Sequence, residues 1–269
     1  RLTRIVNILY ITKYLGISIM EFALLQSVFS ITQFVMEIPS GFLSDYFSKK
    51  RITILGLFLT IVSQLIICNQ YVTIIDNQLW ILIIAFMIEG IGRAFMSGAD
   101  DALFYESIRN EGNEELYVRI RGKLQLVSSI SVGVATLVGT LLYSLETVMP
   151  YYGQCIMTLV AVGTVMTVKE KNISKPKKKE HLSSYFKKIE SVKNEPHIIF
   201  MICLVCLMFG LIDTIFGLMP NYMSNIGFSD NESGLVFMLL SFIGGIIATQ
   251  SYRIENSRYE KIIKIISVC

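Results

Sequence analysis

Charge in this chain is confined to clusters, and between the clusters lie apolar runs of about 20 residues, the length that crosses a bilayer core. Backbone N–H and C=O groups find no water in hydrocarbon, so apolar runs of this length must fold as helices. Repeated along one chain, they restrict it to an all-α, polytopic membrane protein. Composition agrees. Soluble domains hold about 25% charged residues, whereas here the share is 17%, with 53% hydrophobic residues and a mean hydropathy of +0.57. The net charge of +3 therefore argues nothing about nucleic acid; what matters is which loops hold the cations.

The predicted spans cover about 1–16, 21–43, 52–68, 79–104, 124–143, 150–168, 197–220 and 232–250, with 261–269 opening a ninth. Of the 24 Lys and Arg residues, 20 fall within 49–51, 109–123, 169–193 and 253–264, the loops after even-numbered spans. The others are Arg1, Arg4, Lys13 and Arg93. Cytoplasmic loops carry the excess of Lys and Arg, so the basic loops are expected inside. The chain starts and stops partway through apolar segments and reads as incomplete. The five cysteines lie mostly within apolar runs and read as small core residues, and Cys203-x-x-Cys206 has no partner pair for a metal or redox site.

The turn between the second and third spans reads Gly41-Phe-Leu-Ser-Asp45-Tyr-Phe-Ser-Lys49-Lys50-Arg51. So short a connection forces a helical hairpin with three cations at its edge. This spacing of Gly, Asp and paired bases resembles the signature loop of the major facilitator superfamily of secondary transporters. Tyr46 and Ser48 stand where the family usually has Arg and Gly. The preceding Glu37-Ile-Pro39-Ser-Gly41 is similar to the drug-efflux branch. Glu37, Gly41 and Asp45 are spaced four apart on one helix face; Pro39 is expected to kink the helix end and Gly41 to permit close packing.

A short repeat supports the resemblance. Gly16-Ile-Ser18-x-x-Glu21 recurs 211 residues later as Gly227-Phe-Ser229-x-x-Glu232, and both copies have the Ser-x-x-Glu pattern of a capping box. Six spans separate them, as expected for parallel six-span repeats with a substrate site between the halves. The second copy of the hairpin loop is degenerate, with Asn256 at the position of Asp45. The expected organisation is an N-terminal six-helix bundle over 1–168, a basic linker over 169–196 and the start of a C-terminal bundle over 197–269. The linker holds nine Lys and four Glu. Within it, Leu182, Tyr185, Phe186, Ile189 and Val192 recur at helical spacing, which predicts an amphipathic helix on the inner membrane surface.

Charged side chains inside a bilayer are costly and face a partner or a water-filled path. Glu89, Arg93 and Asp100 in the fourth span share one narrow stripe at 100° per residue, and Glu89 and Arg93 are spaced to pair. Two readings stay open: a buried structural ion pair, or a face of the transport path where Glu89 exchanges a proton. The family's usual fourth-helix Arg position is Phe86 here, so its assignment does not transfer. Asp213 in the seventh span lies, by the repeat offset, within one turn of the level of Arg4, and the two are candidates to meet across a central cavity. The resemblance further implies that Asp45, Lys49 and Lys50, with Asp100 or Asp101, form a charge cluster that holds the outward-facing state.

These features predict a transporter working by alternating access, most simply proton-coupled efflux of small amphipathic compounds from a bacterial inner (plasma) membrane. Uptake of a sugar or nucleoside, a non-transporting membrane sensor, or a decayed transporter are the alternatives. The expected partners are a small-molecule substrate, protons and membrane lipid, but no nucleic acid, and the protein is expected to be a monomer. No cofactor, metal site or catalytic residue is expected, because His181 and His197 lie near the inner surface and no nucleophile–base spacing occurs.

Overall fold

The computed structural model describes residues 2–3, 5–69, 77–110, 117–167 and 196–255. Every element among them is helical. A short α1, Val6–Leu9, passes into a π-helical turn, Tyr10–Tyr14. Then follow α2, Ile19–Tyr46; α3, Lys49–Ile67; α4, Gln78–Asn110; α5, Tyr117–Leu145; α6, Met149–Thr167; α7, Pro196–Asn225; and α8, Asp230–Glu255. Among the described residues five stretches are long and apolar enough to cross a membrane: Ile19–Gly41, Lys49–Ile67, Gln78–Ser97, Lys123–Leu145 and Asp230–Ile247. The linker expected over 169–196 lies, but for Pro196, outside the described residues, as do its expected amphipathic helix and the ninth span expected from 261.

The two repeat copies fold alike. Gly16 and Gly227 adopt φ of 71° and 99°, a left-handed geometry that other residues reach only with strain. Each ends one helix and allows the next to start two residues later with Ser. The Ser18 backbone N–H donates to Glu21 Oε2 at 2.9 Å, and the Glu21 backbone N–H donates back to Ser18 Oγ at 3.2 Å. At the second copy the Ser229 N–H donates to Glu232 Oε2 at 2.8 Å, and the Glu232 N–H to Ser229 Oγ at 3.3 Å. Each box satisfies two orphan donors of a helix start.

Packing is set by glycines. Gly90 and Gly92 are two residues apart, hence about 200° apart around α4, so they open opposite faces. A Cβ on Gly90 would stand 2.8 Å from the Phe29 carbonyl oxygen of α2, and one on Gly92 would stand 2.7 Å from the Gly56 oxygen of α3. The α4 backbone is therefore wedged between α2 and α3. On the other side of the molecule α5 packs along α8, where Gly133 meets the Phe242 ring and Gly245 meets Ser129. An apolar cluster joins Leu9, Tyr10 and Ile11 with Tyr143, Tyr151, Met223 and Phe237.

Two local expectations are corrected. Pro39 lies inside α2 and does not end it: the helix runs on to Tyr46, past the end expected at 43. Beside it the Ser40 hydroxyl donates to the Glu37 carbonyl at 2.9 Å. Gly41 is not a close-packing site either, since a Cβ there would meet nothing within 4 Å. The seventh span is also longer than expected: α7 continues through a buried Pro220 to Asn225.

Candidate functional site

The membrane-level interior between α1, α3, α4 and α6 holds a seam of polar side chains. On α4, Ala85 sits about 40° and Gly92 about 60° to one side of Glu89, and both face α3. Glu89 thereby points beside the α3 contact, and it is 8% exposed. Gln64 of α3, 1% exposed, donates from Nε2 to Glu89 Oε2 at 3.4 Å. One residue earlier the Ser63 hydroxyl donates to the Ala85 carbonyl at 2.8 Å and holds the same two helices in register. Gln64 Oε1 is buried with no hydrogen-bond partner, and a buried orphan acceptor costs about 1–3 kcal/mol.

The seam continues into α6 and α1. Tyr151 is fully buried within electrostatic reach of Glu89, and its hydroxyl donates to Asn7 Oδ1 at 2.9 Å. The Tyr10 ring lies against Tyr151 with centroids 4.9 Å apart and planes at 59°, an arrangement that suits the aromatic quadrupoles. Among the described residues, the neutral amide of Gln64 is thus bonded to the carboxyl group and the Tyr151 phenol lies within its electrostatic reach, an environment that can accommodate either its charged or its protonated form. No group of His, Cys, Asp and Glu suited to hold a metal occurs among the described residues.

Of the other residues expected to line a path, Arg93 is half-buried one turn beyond Glu89 and, among the described residues, makes no ion pair with it. Glu37 is exposed on α2 and accepts from Gln33 Nε2 at 3.5 Å. Asp213 lies on α7, but its side chain and the whole of Arg4 fall outside the described residues, so their meeting does too.

In the hairpin, only Phe47 and Ser48 separate α2 from α3, and Ser48 Oγ caps the new helix by accepting from the Arg51 N–H at 3.4 Å. Lys49 and Lys50 occupy the first turn of α3, and Lys50 Nζ reaches the Met166 carbonyl of α6 at 2.5 Å. A cation there complements the negative end of the α6 dipole. Gly41 and Asp45 lie in the last turns of α2, and Asp100 and Asp101 lie on α4; the side chains of Asp45, Asp100 and Asp101 fall outside the described residues.

A family model described as Major Facilitator Superfamily matches residues 2–269. The chain belongs to that superfamily. It is similar to an uncharacterized transporter of Buchnera aphidicola subsp. Acyrthosiphon pisum (strain APS), with 27% identity over 228 residues, 80% of this chain and 53% of the relative. A second uncharacterized transporter, from Buchnera aphidicola subsp. Schizaphis graminum (strain Sg), is 38% identical over 84 residues, 31% of this chain and 19% of that protein. The chain thus spans about half the length of the first relative and a smaller part of the second.

For this member of the superfamily, sequence reasoning found the buried acid but missed most of its neutral surroundings. Gln64, Ser63 and Tyr151 are uncharged and sit in runs that read as apolar spans. The available signal was a Gln and a Ser side by side deep in a helix that otherwise has no ionisable group between Ile52 and Ile67. Lys13, conspicuous by its charge, was given no partner by the sequence; its Nζ lies 3.3 Å from Asp230 Oδ1, 217 residues away, and ties the first segment to the start of α8.

Proposed function

We propose that the protein is a secondary active transporter rather than an enzyme, that it works by alternating access and that it exports small amphipathic compounds in exchange for protons. Membership of the superfamily and the names of its relatives support transport. The observation that carries proton coupling is Glu89, a carboxyl group 8% exposed at mid-helix, bonded to Gln64 of α3 and within electrostatic reach of Tyr151 of α6. A proton can drive only an equilibrium between states that bind it differently, and a carboxyl group with polar neighbours on two separate helices changes its surroundings when those helices move. The likeness of Glu37–Gly41 to the efflux branch supports the direction. In the same reading residues 1–168 form one bundle, 169–196 a cytoplasmic linker and 197–269 part of a second bundle in a bacterial inner membrane.

The test is transport of a panel of amphipathic dyes by the full-length protein in proteoliposomes, with and without a pH gradient. Gradient-driven dye movement in the wild type, and a folded Glu89→Gln variant that binds dye but ignores the gradient, are expected. Full gradient-driven transport by Glu89→Gln removes Glu89 as the proton site. Dye panels left unmoved while sugars or nucleosides accumulate would replace efflux with uptake.

A further inference from the structure

We propose that Gln64 is the positioning residue that lets Glu89 hold or release its proton without leaving the site, by presenting either end of its amide to the carboxyl group. This inference rests on the reading of Glu89 as the proton site and adds the group that controls it.

The geometry is asymmetric in an informative way. Nε2 of Gln64 donates to Glu89 Oε2 at 3.4 Å, while Oε1, at the other end of the same amide, is buried without a partner. The first orientation serves a charged Glu89, which only accepts hydrogen bonds. A protonated Glu89 carries an O–H and needs an acceptor. A half-turn of the amide brings Oε1 to the carboxyl group and gives the orphan oxygen its donor. The proton arrives from water and returns to water, and no other bond changes. Apolar residues of similar size serve neither form, and a Lys or Arg serves only the charged one. An amide is the neutral side chain that suits both.

No charged group on α3 competes for this role, since the sequence between Ile52 and Ile67 has none. Among the described residues, the other ionisable groups on the elements packed here include the Tyr151 phenol from α6, Arg93 on α4 itself, and the exposed Glu37 of α2, one turn past the Gln33 that packs on Gly90. Arg4 precedes α1 and lies outside the described residues. Glu89 has interactions besides Gln64, so loss of the amide is expected to shift its protonation rather than abolish it.

The experiment follows the carboxylic-acid C=O infrared band of the purified, reconstituted full-length protein as pH is varied. The Glu89 component is the one missing from Glu89→Gln. Gln64→Met keeps the length of the side chain and removes both hydrogen-bonding ends. Losing the donor to the charged form is expected to move the half-protonation pH upward by about one unit. Gln64→Glu places a second carboxyl group where the two must share a proton, and a larger upward move is expected. Thermal melting of each variant is measured alongside. A lowered melting temperature with the half-protonation pH unmoved in both variants would make Gln64 purely structural and overturn the proposal. A Glu89 band that is constant across the pH range overturns it as well. Because the band is read without substrate or gradient, it separates this inference from the transport reading: a Glu89→Gln variant that keeps coupling defeats the latter, while a shifted band in the Gln64 variants still upholds the former.

Discussion

Replacing Gly92 by Ala tests the wedge that sets the position of Glu89. The added Cβ would stand 2.7 Å from the Gly56 oxygen, 3.1 Å from Thr60 Oγ1 and 3.2 Å from Leu59 Cβ. Carbon–oxygen contacts of this kind ordinarily begin at about 3.3 Å, so α3 and α4 must part locally by about 0.6 Å. Backbone cannot swing aside as a flexible side chain can, and overpacking of this sort costs about 1–3 kcal/mol. The substitution also gains helix propensity of about 0.8–1 kcal/mol, which must be removed from the comparison. Gly163 supplies that reference: it is helical, and a Cβ there meets nothing within 4 Å. Denaturant titration in mixed micelles should therefore show Gly92→Ala less stable than Gly163→Ala by about 1–3 kcal/mol. The contact is reciprocal, since a Cβ on Gly56 would stand 2.6 Å from the Gly92 oxygen. Once one alanine has separated the helices the second costs less, so Gly56→Ala/Gly92→Ala should fall short of additivity by about 0.5 kcal/mol or more. Equal effects of Gly92→Ala and Gly163→Ala would refute the wedge.

The Lys13–Asp230 pair, at 3.3 Å and partly exposed, is expected to contribute about 0.2–1 kcal/mol, less at high salt. Lys13→Asp and Asp230→Lys should each lower the melting temperature slightly and the double reversal restore it; no restoration would mean the two groups do not interact. Topology is checked by cysteine labelling from outside intact cells: a cysteine at Lys178 should stay unlabelled while one at Asn77 reacts, and equal labelling would invert the assignment of basic loops to the cytoplasm.

The fold was legible where local chemistry decides it. The two glycines with positive φ, the two Ser-x-x-Glu boxes and the short turn after Tyr46 are written in neighbouring residues, and helix ends fell within a few residues of the charge clusters. Proline misled because its effect depends on context. In water an interior proline ends or bends a helix, whereas α7 continues through Pro220, the expected end of the seventh span, where an apolar surrounding penalises leaving the helix more than losing one bond. Glycine misled in the opposite way. It permits close approach without requiring it, and only the partner helix decides which glycines are used: Gly56, Gly90 and Gly92 are, and Gly41 is not.

Charge made Glu89 conspicuous in the sequence, but the partner described for it, Gln64, comes from another helix and is neutral. Tyr151 meets Asn7 across 144 residues and Gln64 meets Glu89 across 25, separations over which no spacing rule operates. What joins them is the wedge. Gly90 seats α4 on α2 and Gly92 seats it on α3, leaving Glu89 to project alongside the α3 contact at the level of Gln64. The Gln64–Glu89 bond, at 3.4 Å, is already near the limit at which a hydrogen bond retains its strength. A slide of α4 along α3 of well under a helical turn is therefore enough to break it, whereas the Ser63–Ala85 bond at 2.8 Å resists that slide. Two adjacent residues of α3 thus act in opposite senses on the same helix. Ser63 fixes the register of α4, and Gln64 makes the surroundings of the carboxyl group sensitive to any change in that register.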